Sequence, residues 1–375
     1  MWRHCFISNA TKKKDTFYKH SNNLVVNSNG LHLTKDTITN SYTFSFPRAV
    51  SVTPQRVFSS TTSSDTQNHD HPTSNSPKTK IQLPNKANVC IVGGGIIGTS
   101  VAYHLAKLGV EDVILLERDK LTSGTTWHAA GLINTFGSLS STSTYFRKYT
   151  KSLYKDILPI ETSMDTGFLP IGFIELACDG HRLEYYRRVA NYNRFCGVDV
   201  EEITPNQIKE KFPLIEIKDV VSGFYVKDDG RVNPYDATMA LAKGAKLNGV
   251  SIYENVSVSG IQKTRQSCLN HSNDIVKEAL PRVTGITLES GHEIEVNVVV
   301  NCAGMWARQF GEKCGVNIPN QAAEHYYLIT DQMDEVDPSW PVVEDSSKCV
   351  YIRPGTFTLF SAPDFQAITI CSFYC

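Results

Sequence analysis

Apolar residues are absent from one stretch of the chain and periodic through most of the rest. Between Ser59 and Lys80 there is no Ala, Val, Ile, Leu, Met, Phe, Trp, Tyr or Cys, so this segment can bury nothing and reads as a solvated linker. The pattern changes near Ile81. Asn88-Val89-Cys90-Ile91-Val92 is a short apolar run that stops at glycines, and after it Ile97, Val101, Leu105 and Leu108 recur at helical spacing until Gly109. Val113 to Leu116 is a second apolar run ending at Glu117. Residues 88–117 therefore predict a βαβ unit with short connections.

Further along, His181 to Phe195 predicts an amphipathic helix, and Pro205 to Lys211 a second that ends before Pro213. Gly223 to Val226 reads as a strand, Asp236 to Leu247 as a helix stopped by Asn248-Gly249, and Val250 to Ile261 as a strand. Glu293 to Asn301 alternates and then runs apolar through Val298, Val299 and Val300, as a strand entering a central sheet does. There is no internal repeat. A βαβ start followed by mixed strands predicts an α/β (α+β) fold: a discontinuous Rossmann-like nucleotide-binding domain with a mostly antiparallel β layer inserted into it.

Composition narrows the function classes. The 375 residues are 41% hydrophobic and 20% charged, enough for one large core or two coupled ones. With Lys+Arg 37 against Asp+Glu 38 the net charge is -1, which gives no field for nucleic acid. Ten cysteines show neither a C-x-x-C pair nor zinc-ligand spacing with histidine, so they read as reduced intracellular thiols and no metal site is expected. No run approaches the roughly 18 apolar residues of a transmembrane segment. The charge is unevenly spread, because residues 1–58 hold eight Lys/Arg against Asp15 and Asp36, together with 13 Ser/Thr. That is the composition of a mitochondrial transit peptide, with Arg56-Val57-Phe58-Ser59 as a cut site after Phe58; an ordinary N-terminal tail is the alternative.

The chemistry begins at Gly93-Gly94-Gly95-Ile96-Ile97-Gly98, a G-x-G-x-x-G between a predicted strand and helix. Gly93 permits the tight turn, Gly95 lets backbone amides approach a pyrophosphate, and Gly98 lets helix and strand pack closely. Glu117, 19 residues beyond Gly98, ends the next strand where a carboxylate accepts from ribose hydroxyls. NAD and FAD both suit such a site. The following stretch, Leu121-Thr122-Ser123-Gly124-Thr125-Thr126-Trp127-His128-Ala129-Ala130-Gly131-Leu132, is rich in small residues that allow backbone to run along a bound dinucleotide. His128 by itself reads as a solvated hydrogen-bonding residue. Asp228 to Pro234 reads as a turn into the helix at Asp236, and Tyr185-Tyr186 with Arg187-Arg188 as packing and solvation on an exposed helix.

These segments, with Ala102-Tyr103-His104-Leu105-Ala106-Lys107-Leu108-Gly109 and Val300-Asn301-Cys302-Ala303-Gly304-Met305-Trp306-Ala307, resemble the FAD-dependent N-methylglycine dehydrogenases, the dimethylglycine and sarcosine dehydrogenase family, over roughly residues 86–356. The resemblance implies a fold of the glycine/D-amino-acid-oxidase type and FAD linked covalently through His128. It implies cofactor contacts at Gly93, Gly95, Ile97, Gly98, Glu117, Thr125, Thr126, His128, Ala130, Gly131, Leu132, Val258, Cys302, Ala303 and Gly304. On the substrate side it implies His325 and Tyr351 as catalytic residues; each is equally a half-buried sheet residue on its own evidence. The implied reaction is hydride transfer from the N-methyl carbon of a small N-methylated amino acid to flavin N5, giving an iminium and then formaldehyde or a folate-captured carbon. Electron-transfer flavoprotein is the implied acceptor and the mitochondrial matrix the implied location. The regulatory subunit of pyruvate dehydrogenase phosphatase shares this architecture. Its resemblance offers an alternative: a non-catalytic adaptor for the phosphatase catalytic subunit.

The expected layout is a leader at 1–58, a linker at 59–82 and an oxidoreductase domain at 83–356, followed by a divergent tail at 357–375. FAD-binding parts are expected at about 86–160 and 235–312, and the substrate layer at about 165–234 and 313–356. The resemblance fades after Gly355, and the tetrahydrofolate-binding half of the relatives is absent from this sequence.

Overall fold

The computed structural model describes residues 82–265, 281–323, 326–330, 333–356 and 366–372. The expected leader and nearly all of the linker lie outside the described residues. β1 (Lys86–Val92) sends Val89 and Ile91 into one apolar cluster and Cys90 and Val92 into another, as alternation requires of a strand covered on both sides. Gly93 turns the chain at φ +113° toward α1 (Ile96–Lys107), and β2 (Val113–Leu116), buried throughout, pairs parallel with β1.

The predicted βαβ unit is present, but α1 is rotated relative to the expected stripe, of which only Val101 and Leu105 pack against the core. Gly98, Thr99, Ala102 and Tyr103 point inward, whereas Ile97 and Leu108 are 65% and 81% exposed. Gly98, Thr99 and Ala102 on the inward face allow closer approach than the larger residues of the expected stripe, and Tyr103 fills the space against Gly244.

Then follow β3 (Leu132–Ile133) and α2 (Ser141–Ser152), which runs through a π turn at Leu153–Ile157 into α3 (Leu158–Thr162). β4 (Phe173–Ala177), α4 (Gly180–Phe195), β5 (Glu201–Ile203), α5 (Pro205–Lys211), β6 (Ser222–Val226) and β7 (Gly230–Arg231) come next. α6 (Pro234–Leu247) starts two residues before the expected Asp236, because the Asn233 side chain caps it by accepting from the Tyr235 N–H. Gly244 on α6 meets Tyr103 of α1 so closely that a Cβ there would lie 2.8 Å from the ring.

The strand expected over Val250 to Ile261 is two strands. β8 (Ser251–Tyr253) and β9 (Val258–Arg265) occupy opposite edges of one sheet, and Asn255 at φ +59° turns the chain between them while the Val256 N–H donates to the Glu117 carbonyl. The chain closes with β10 (Pro281–Leu288), β11 (Glu293–Asn301), α7 (Ala307–Cys314), β12 (Tyr326–Ile329), β13 (Val342–Asp345), β14 (Val350–Thr356) and β15 (Gln366–Ser372).

Among the described residues there are two large sheets and one ribbon. The first has the order β8-β2-β1-β11-β10-β9, parallel through β11 and antiparallel beyond it. The second, β12-β15-β14-β13-β4-β6-β5, is antiparallel except where β13 meets β4. β3 and β7 form the ribbon. One face of the second sheet packs Ile174, Leu176, Ile203 and Val343 on Ile208 and Phe212 of α5 and the turn after it. The other face packs Ala177, Phe224 and Val226 against Tyr186 and Val189 of α4 and against Phe136.

Candidate cofactor and substrate site

The glycine loop is built to backbone tolerances. A Cβ on Gly93 would lie 2.3 Å from the Cys302 carbonyl oxygen, and one on Gly98 would lie 1.9 Å from the Gly93 carbonyl oxygen. Both positions exclude any side chain. Gly95 caps α1 without a side-chain hydrogen bond, and no acid occupies the first turn, so the positive end of the helix is not neutralised from within. Thr126 Oγ1 accepts from the Ile96 N–H at 3.1 Å. Glu117 accepts from the Gly94 N–H at 2.6 Å and the Asp119 N–H at 3.0 Å, which fixes its carboxylate against the glycine loop. The constellation fits a dinucleotide: amides and helix end for the pyrophosphate, and Glu117 for a ribose.

The His128 loop lies beside it. Thr126 to His128 form one 3₁₀ turn, with Thr125 exposed before it and Ala130 half-buried after it. The His128 ring is exposed, its centroid 3.6 Å from that of Trp127, and its Nδ1 is 3.4 Å from the Tyr327 hydroxyl. Gly131 has φ +70°, and a Cβ there would lie 2.1 Å from the Val232 carbonyl oxygen. The crossing backbone next to β7 thus explains this glycine without any cofactor. Leu132 pairs with Arg231 in the ribbon. The Cys302 N–H closes onto the Val92 carbonyl, and burial pushes its thiol pKa up, consistent with a structural cysteine. Ala303 and Gly304 follow, with open space over Gly304, and Arg118 lies 3.8 Å above the Trp306 ring. Val258 opens β9 and packs in the apolar cluster that holds Cys90 and Ile114.

On the substrate side, His325 lies outside the described residues, and Tyr351 is buried on β14. Register connects Tyr351 to the cofactor loop. Tyr327 of β12 pairs with position 371 of β15, which pairs with Tyr351; Tyr351 pairs with Glu344 of β13, and Glu344 with Glu175 of β4. Direct partners share a sheet face, so Tyr327, Tyr351, Glu344 and Glu175 form one row that starts at His128. Arg353, two residues beyond Tyr351, is on that face as well.

Arg353 lies within electrostatic reach of Arg231. Burial, then the charge of Arg353, lowers Arg231 to about 10, and burial lowers Arg353 too. The Arg353 Nε has no hydrogen-bond partner among the described residues.

Sequence reasoning missed these residues and Arg147. The signal was an isolated charge inside an apolar strand, as in Phe173-Ile174-Glu175-Leu176-Ala177. It also took Asp228 to Pro234 for a plain turn. Asp229 there is fully buried: it accepts from the Thr135 N–H at 2.6 Å and hydroxyl, and pairs with Lys151 of α2 at 3.0 Å. Tyr186, expected on an exposed helix, is buried with its hydroxyl on Glu175, whereas Arg187 is exposed and paired with Glu202. A cleft of about 530 Å³ runs between β3 and α2, lined by Leu132, Ile133, Asn134, Phe146, Arg147 and the hydroxyls of Ser140, Thr142, Ser143 and Thr150.

The sequence profile of the family described as FAD dependent oxidoreductase matches residues 88–367, most of the chain. The chain belongs to that family. Members similar to it include human mitochondrial sarcosine dehydrogenase, 34% identical over 271 residues, covering 72% of this chain and 28% of that protein. The mouse mitochondrial pyruvate dehydrogenase phosphatase regulatory subunit is 37% identical over 284 residues, covering 75% and 30%. This chain therefore spans less than a third of the length of those relatives. Among solved structures, L-proline dehydrogenase from P. horikoshii superposes with a TM-score of 0.60 at 24% identity, covering 76% of this chain and 70% of that one. The α/β fold expected from the sequence is the fold of this FAD-dependent family. No helix among the described residues is long and apolar enough to cross a membrane.

Proposed function

We propose that this family member is an FAD-linked dehydrogenase of small N-methylated amino acids, with the cofactor attached at His128. The observation that supports the reading is the row of side chains on one face of the second sheet, which begins at the Tyr327–His128 contact and passes Tyr351. Gly93, Gly95, Gly98 and the start of α1 would hold the pyrophosphate, and Glu117 a ribose. Tyr327 orients the His128 ring: with Nδ1–H directed at the phenol oxygen, Nε2 keeps its lone pair and is the atom available for attachment. Arg353, with its buried Nε open and Arg231 behind it, suits a substrate carboxylate, which would offset the repulsion between the two guanidiniums. Tyr351 forms a wall of the same site, and His325 follows Glu324 just before β12. When bound, FAD supplies two-electron oxidation of the substrate's N-methyl carbon. Hydrolysis then yields formaldehyde and the demethylated amine, unless folate held elsewhere takes the carbon. Electron-transfer flavoprotein as acceptor, the mitochondrial matrix as location and cleavage after Phe58 belong to this reading.

The identity to a phosphatase regulatory subunit supports a second reading, a phosphatase-binding adaptor that keeps the flavoprotein fold. One experiment separates them. The purified chain is mixed anaerobically with sarcosine or dimethylglycine, its visible spectrum is recorded, and the protein is precipitated with acid. The enzyme reading expects bleaching by an amine and a yellow pellet, with colour lost to the supernatant in His128→Ala. A flavin that never bleaches, with a phosphatase catalytic subunit bound, assigns the adaptor role.

A further inference from the structure

β4 is buried at all five positions, yet its central residue is Glu175. The carboxyl is enclosed: Tyr186 Oη donates to it at 3.1 Å, Ser346 Oγ at 3.2 Å, and Asn134 Nδ2 approaches at 3.4 Å. Its register partner Glu344 lies one strand away on the same face, and Ser346 Oγ reaches that carboxyl at 3.5 Å. Glu344 is half-buried, so the pair has an inner member and an outer member. The groups facing it are Arg147 from α2, Tyr186 from α4 with Arg182 5.3 Å from its ring, Ser346 at the end of β13, and Tyr351 across from Glu344 on β14. Arg147 bears on both carboxyls electrostatically, but its Nη1 donates to Asn134 Oδ1 at 2.6 Å and to the Phe136 carbonyl at 2.7 Å.

Two carboxyls sharing a desolvated site retain a proton between them. An alkylamine substrate arrives protonated at neutral pH, and oxidation next to nitrogen needs the lone pair that this proton occupies. We propose that Glu344, backed by Glu175, is the group that accepts the proton from the substrate ammonium. The N–H bond breaks, its electron pair stays on nitrogen, and an O–H bond forms on Glu344; the subsequent oxidation is that of the reading above, on which this inference rests. Burial, first, raises both pKa values, which brings the carboxyls toward the basicity of the amine. Arg353, a diagonal neighbour of Glu344 about 7–8 Å away across the β13–β14 pair, suits the carboxylate end of the same substrate.

The test is anaerobic flavin bleaching by dimethylglycine and by sarcosine, followed from about pH 6 to about pH 10, in the full chain and in Glu344→Gln, Glu344→Asp, Glu175→Gln and His325→Ala. Glu344→Gln should lower the rate about 10²-fold near neutrality and regain it as pH rises toward the amine's own pKa, where substrate arrives already deprotonated. Glu344→Asp should keep a rising limb. Glu175→Gln, which removes the carboxyl coupled to Glu344, should displace that limb along the pH axis. A loss in Glu344→Gln that is equal at every pH, or a limb removed by His325→Ala alone, overturns the assignment. An unmodified chain that neither amine bleaches overturns the dehydrogenase reading itself and this inference with it.

Discussion

At Gly98 the geometry leaves no choice of residue. A methyl group there would overlap the Gly93 carbonyl oxygen at 1.9 Å, so Gly98→Ala must push α1 away from the turn that presents its amides. The expected outcome is a protein purified without bound FAD and destabilised by about 1–3 kcal/mol. The ratio of flavin to protein absorbance, with a denaturant titration, checks it. Thr126 acts more gently. Thr126→Val removes the acceptor from the Ile96 N–H while keeping the side-chain volume, at a cost of about 1 kcal/mol. Flavin retained at full occupancy together with lowered thermal stability is the expected result.

Among the elements, the pinning of α2 to the turn before β7 rests on Lys151 and Asp229. Removing one partner leaves a buried charge, so Lys151→Met should cost about 3–5 kcal/mol, and the Lys151→Met/Asp229→Leu double variant much less than twice that. Chemical denaturation of both variants measures the difference. Neither partner stood out in the sequence, because an Asp-Asp-Gly turn with a distant lysine looks the same whether it is solvated or buried. The βαβ unit was legible because Val89 to Val92, the glycines, the helical run and Glu117 follow one another in a short stretch of chain. The inward face of α1 was not, since contact with Gly244 of α6 selects it and that contact is non-local. His128 was legible only through resemblance; Glu175, Glu344 and Arg353 come together through strand register, and Arg231 reaches Arg353 from the separate β3–β7 ribbon, which no local pattern carries.

For the molecule as a whole, the carboxyl pair makes stability depend on pH. Glu175, raised to about 8 mainly by burial, binds its proton more tightly folded than unfolded. Its contribution is therefore fully present below about pH 4 and lost as pH climbs through about 8. Thermal midpoints should fall across that interval, and Glu175→Gln should flatten the fall; an unchanged slope in a scan of both proteins would contradict it.

The order of strands in the second sheet has a consequence for synthesis. β15 is made after every other described strand, yet it lies between β12 and β14. Until residues 366–372 emerge from the ribosome, β12 has no neighbour to pair with in that sheet, and the tyrosine that steadies His128 has no fixed position. The flavin attachment proposed at His128, if it depends on that tyrosine, would follow translation of this strand. A nascent chain stalled before it would carry a complete glycine loop with nothing to anchor the ring.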